Sequence, residues 1–113
     1  MATVKELVDA NFNAEAVELS EPVLVQFWAP WCAPCRMMAP VIEQVSSLYV
    51  DRVRFFKVNV DENPQSASRF QATSIPLIAL IRNHPETGKR EAHLSMGYKS
   101  EDEVAQFIDA LLE

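Results

Sequence analysis

Along the chain, short and densely apolar runs alternate with longer stretches in which apolar residues recur at helical spacing. The segment around Val4 to Val8 fits either an edge strand or the start of a helix. Asn11 and Asn13 are good caps for a helix through Ala14, Ala16, Val17 and Leu19, which Pro22 is expected to end. Val23 to Trp28 is a near-continuous apolar run, the mark of a strand buried on both faces of a parallel sheet. From Cys32 the spacing turns helical, placing Met38, Val41, Ile42, Val45, Leu48 and Tyr49 on one broad stripe. Pro40 is expected to interrupt and kink this helix, because it removes a backbone donor and crowds the carbonyl four residues back. Val53 to Val60 reads as a second buried strand, and Asp61 to Pro64 turns into a short helix through Phe70. Strand, helix, strand predicts a right-handed parallel crossover.

The remainder differs in kind. Pro76 opens an apolar run to Ile81, a polar turn with Asn83, Pro85 and Gly88 follows, and Arg90 to Met96 returns as a strand, which predicts an antiparallel hairpin. Ser100 and Glu103 make a capping box ahead of a closing helix that carries Val104, Phe107, Ile108, Leu111 and Leu112 on one face. The predicted fold class is α/β, a mixed sheet with helices on both faces, and 113 residues fit a single domain spanning 1–113.

Composition narrows the function. With 10 Lys and Arg against 16 Asp and Glu, the net charge of -6 argues against nucleic acid as a partner, since non-specific affinity for phosphates comes from clustered basic residues. The longest apolar run, Leu77 to Ile81, is far too short to span a bilayer, and the opening residues lack a basic region followed by an apolar stretch. The expected location is therefore cytoplasmic, or an organelle stroma or matrix if a transit peptide was removed. No low-complexity tract, internal repeat or cofactor-binding motif stands out.

The two cysteines, Cys32 and Cys35, are three residues apart. A loop so small removes little freedom from the unfolded chain, so a bond between them is a poor clamp and its chemistry is the better reason for it. Cys32 falls where a strand passes into a helix, so unpaired backbone donors and the positive end of the helix dipole favour its thiolate. Cys35 shares its helix face at about 5 to 6 Å, a separation that suits a disulfide. Pro34 in the first turn costs no hydrogen bond and stiffens it. Cys32 is thus the expected nucleophile, the more exposed of the two, and Cys35 the resolving residue in thiol-disulfide exchange. A bare pair of this spacing could also be half a zinc site, but the remaining soft ligands, His84 and His93, lie at the far turn and in a strand. Trp28 could serve the core or support the site; Trp31 reads as docking surface.

The segment Phe27-Trp28-Ala29-Pro30-Trp31-Cys32-Ala33-Pro34-Cys35 resembles the active-site segment of the thioredoxin family. Val58-Asn59-Val60-Asp61 is similar to that family's third strand and Ser74-Ile75-Pro76 to its proline loop. The resemblance covers nearly the whole chain. It implies a five-stranded mixed sheet flanked by four helices, and a thiol-disulfide oxidoreductase with no cofactor beyond a redox-active Cys32-Cys35 disulfide. It further implies a cis Ile75-Pro76 bond, Gly97 on the docking surface beside Trp31, Ile75 and Pro76, disulfide-containing target proteins, and a reductase that is either flavin-based with NADPH or ferredoxin-linked. The working unit is expected to be a monomer.

Three departures stand out. Ala33 replaces the usual glycine between the cysteines. The turn from Asn83 to Lys89 looks longer than usual and is expected at the end of the molecule opposite the cysteines. Gln26 stands where the family has a buried aspartate that exchanges a proton with the resolving cysteine, while Lys57 matches the lysine accompanying it. Glutamine cannot titrate, which leaves ordered water or Lys57 as substitutes. Three functions remain in view: a general disulfide reductase, an oxidant or isomerase, and a binding or chaperone module whose thiols are incidental.

Overall fold

The computed structural model describes residues 4–112. Its strands are β1 (Val4–Glu6), β2 (Val23–Trp28), β3 (Arg54–Asn59), β4 (Leu77–Asn83) and β5 (Arg90–Met96); its helices are α1 (Ala33–Leu48), α2 (Pro64–Arg69) and α3 (Glu101–Leu112), with one further helical turn at Asn13–Val17. The strands lie in the order β1-β3-β2-β4-β5. β1 and β2 both pair parallel with β3, while β4 pairs antiparallel with β2 and with β5. The α1 crossover and the β4–β5 hairpin read from the sequence are both present.

Strand periodicity divides the core into two layers, because successive side chains point to opposite faces. On one face Leu24, Phe55, Ile78 and Leu80 pack against Met38, Ile42 and Val45 of α1 and Val104 and Ile108 of α3. On the other, Val23, Val25, Phe27, Phe56, Val58 and Ile81 pack against Phe12, Ala16 and Phe70 from the helical turn and the end of α2. β2 sits at the centre of the sheet and is buried from Val23 to Phe27, which is why its sequence shows no polar alternation. Ser100 and Glu103 form the reciprocal capping box of α3: the Glu103 N–H donates to Ser100 Oγ at 3.2 Å and the Ser100 N–H to Glu103 Oε1 at 3.0 Å.

Several expectations are corrected. Asn11 and Asn13 do not cap a helix. Asn11 Oδ1 accepts from the Val8 N–H at 2.9 Å, and Asn13 Oδ1 accepts from Arg69 Nη1. The helical segment is a single π turn, closed by the Glu18 N–H on the Asn13 carbonyl at 2.8 Å, and it stops well short of Pro22. Arg90, arriving from β5, donates to the Glu21 carbonyl and, at 3.0 Å, to the Ala16 carbonyl, an acceptor that a longer helix would have used. Pro40 does not interrupt α1, which continues through it to Leu48, and Pro40 lies on the helix's exposed face. Leu48 is not on the core stripe and is 67% exposed, because the buried row runs through Met38, Ile42, Val45 and Tyr49. β3 and β4 each start one residue later than the apolar runs suggest, and the hairpin turn is His84–Lys89, since Asn83 pairs with Arg90.

Candidate active site

The site lies where β2 ends and α1 begins. After Trp28 the chain turns through Ala29, Pro30 and Trp31, with the Cys32 N–H donating to the Ala29 carbonyl at 3.1 Å. Cys32 is the N-cap of α1, in extended backbone, and Pro34 occupies the first turn, where its missing N–H removes no helix bond. Cys32 and Cys35 form a disulfide with a Cα–Cα distance of 5.3 Å. Cys32 Sγ also accepts the Cys35 N–H at 3.2 Å, one of the amide donors that the start of a helix leaves unpaired.

Cys35 is 1% exposed and Cys32 5%. The expected order of burial holds, and both cysteines are buried in a cluster with Ala29 against which Trp28, Val60 and Ile75 pack.

The residues expected to dock targets come from three separate loops. Trp31 is 67% exposed and its indole Nε1 donates to Asp61 Oδ2 at 2.9 Å, fixing the ring beside the disulfide. The Ile75-Pro76 bond is cis, and the Ile75 carbonyl oxygen is 3.8 Å from Cys32 Sγ. Pro76 itself is buried, so Ile75 is the member of that pair which meets the surface. The Gly97 N–H donates to the Pro76 carbonyl at 2.8 Å, and its φ of +93° is a conformation that favours glycine. His84 and His93 lie on the hairpin, His93 bonded to Glu91 at 3.0 Å. Among the described residues no three His, Cys, Asp or Glu side chains gather to hold a metal, and no helix is long and apolar enough to cross a membrane.

Behind the disulfide stand the supporting residues. Gln26 is 2% exposed on the α1 face of β2 and pairs in register with Lys57 of β3. Lys57 Nζ lies 5.5 Å from the Trp28 ring centroid, a cation–π arrangement. Trp28 therefore belongs both to the cluster around the cysteines and to the wall behind them. Two contacts had no sequence signal: Asp61 as the anchor of Trp31, and Arg36, whose Nη1 donates to the Pro30 carbonyl at 2.6 Å and braces the turn. Both join residues on different elements or across a turn, so only the folded chain reveals them.

A disulfide between cysteines three residues apart at a helix start is the working part of a thiol-disulfide oxidoreductase. Its reaction is carried by the Cys32–Cys35 bond itself. The chain belongs to the thioredoxin family, whose model matches residues 3–110. It is 44% identical over 106 residues to thioredoxin of Alicyclobacillus acidocaldarius subsp. acidocaldarius, covering 93% of this chain and 95% of that one. It is 47% identical over 83 residues to thioredoxin 1 of Synechococcus elongatus, covering 74% and 78%. Against thioredoxin of Acidithiobacillus ferridurans the identity is 38% over 104 residues, with 92% of each chain covered. The family works through a redox-active disulfide, on disulfide-containing targets and with a reductase partner.

Proposed function

We propose that this protein is a general reductant of target-protein disulfides in which Cys32 attacks and Cys35 resolves. The observation that carries the assignment is the Cys35 N–H held at 3.2 Å from Cys32 Sγ at the start of α1, a donor placed to stabilise charge on that sulfur and on no other. The Cys32 thiolate displaces one sulfur of the target disulfide, which leaves as a thiolate and takes a proton. Cys35 gives up its proton and attacks Cys32, the mixed disulfide breaks, and the second target sulfur leaves. The target gains two electrons and two protons, and the pair returns to its closed form. Trp31, Ile75 and Gly97 supply the docking rim, where the Ile75 backbone can pair with an extended target chain.

The single domain acts as a monomer, in keeping with a net charge of -6 that opposes self-association. It works in a reducing compartment, the cytoplasm or an organelle's stroma or matrix, where a dithiol can be regenerated. Its reductase is either a flavin enzyme drawing on NADPH or a ferredoxin-linked enzyme. The test is alkylation of the reduced protein with iodoacetamide across pH, read by peptide mass spectrometry. Cys32 is expected to react first, with a pKa below the roughly 8.5 of a free cysteine. Equal rates, or faster labelling of Cys35, would refute the assignment. Mixed disulfides trapped on Cys35→Ser then identify both targets and reductase.

A further inference from the structure

Behind the disulfide lies a cavity of about 150 Å³ walled by Gln26, Trp28, Cys35, Arg36, Ala39 and Lys57. A water molecule's share of liquid volume is about 30 Å³, so the space exceeds what a single water fills. The wall chemistry is one-sided. Lys57 and Arg36 are cations and the wall contains no Asp or Glu. Among the described residues neither cation has a carboxylate within 4.0 Å. Gln26, 2% exposed, has no acceptor for its Nε2, and neither does Trp28 for its buried Nε1. Two cations and two unsatisfied donors, with no carboxylate, are the chemistry of a site for negative charge.

We propose that this cavity is a redox-linked anion site: it takes a small inorganic anion of halide size while the Cys32–Cys35 bond is closed, and yields that place to the Cys35 thiolate once the bond is open and Cys35 has lost its proton. Disulfide sulfur carries no charge, so in the oxidised protein the cations and donors are satisfied by an anion from solution. In the reduced protein a thiolate on Cys35 brings negative charge to the same wall, and a second anion beside it is repelled. The two occupants compete. By linkage, an anion that prefers the oxidised protein lowers the reduction potential and makes Cys35 harder to deprotonate. The inference rests on the reading of Cys35 as the inward, resolving sulfur.

The probe is chloride, followed by the 35Cl NMR linewidth with ionic strength held constant by sodium gluconate, whose anion is much larger. Oxidised protein is expected to broaden the line, Lys57→Met to lose that broadening and Lys57→Arg to keep it. Reduced protein at a pH above the ordinary thiol range of about 8.5 is expected to broaden it less. At the same alkaline pH, with chloride at ten times its dissociation constant for the oxidised protein, the redox equilibrium shifts about tenfold, or about 30 mV, toward the disulfide. Equal broadening by oxidised protein and Lys57→Met, equal broadening in both redox states at alkaline pH, or a potential indifferent to chloride overturns the proposal. The redox-state comparison needs no variant, so it decides the matter even if Lys57→Met does not fold. Selective alkylation of Cys32 without chloride binding removes the anion site alone, whereas chloride binding with Cys35 labelled first removes the assignment of roles.

Discussion

Replacing Gln26 by aspartate tests how charge behind the disulfide sets its redox poise. Gln26 is 2% exposed, faces Lys57 across the β2–β3 register and shares a cavity wall with Cys35. Gln26→Asp therefore places a carboxylate where a neutral amide now stands, beside Lys57. Burial raises the new carboxyl's pKa and Lys57 lowers it; once ionised, it disfavours a thiolate on Cys35. Each unit of upward shift in a thiol pKa is about 1.4 kcal/mol, which for a two-electron couple is about 30 mV. Partial neutralisation by Lys57 makes that an upper figure. The reduced state is destabilised relative to the disulfide, so the potential of Gln26→Asp should fall by up to about 30 mV. Resolution of a mixed disulfide should nevertheless quicken, because the carboxylate can accept the Cys35 proton. Both effects should fade as pH drops below the pKa of the introduced group. The assay is equilibration against glutathione buffers at neutral pH, with stopped-flow measurement of the resolving step. An unchanged or higher potential would show that charge at position 26 does not govern the couple.

Other outcomes follow from the packing. Burial, reinforced by the hydrogen bond from its hydroxyl to Asp109 Oδ1 at 2.6 Å, pushes Tyr49 up to about 12 from 10.0. The unfolded phenol ionises first, so stability is full below pH 10 and is lost as pH rises through about 12; denaturant midpoints should show this fall in the wild type and not in Tyr49→Phe. Ile42→Ala, at a fully buried position between α1 and the sheet, should lower stability by about 2–5 kcal/mol in urea unfolding, with no change in slope. Trp31→Ala removes a ring that is 67% exposed, so it should raise KM for a protein disulfide while leaving the unfolding midpoint nearly unchanged.

How far the sequence reaches can be judged residue by residue. It determined the buried strands, because an uninterrupted apolar run such as Val23 to Phe27 has no stable place but the middle of a sheet covered on both faces. It determined the capping box at Ser100 and Glu103, a contact made within one turn of chain. It also determined the order of burial of the two cysteines, since a helix that starts at one of them must turn the other inward. Tertiary structure decided what depends on distant partners. Asn13 accepts from Arg69 rather than capping a helix, and the carbonyls that might have extended that helix belong to Arg90. Trp31 is held by Asp61, and Cys32 is sheltered by Val60 and Ile75 from two other loops. The cavity that joins Gln26, Lys57, Arg36 and Cys35 exists only where α1 crosses the ends of β2 and β3. Local rules describe a residue's neighbours along the chain, whereas a site is made where separate segments satisfy one another's unpaired groups and close over the same sulfur.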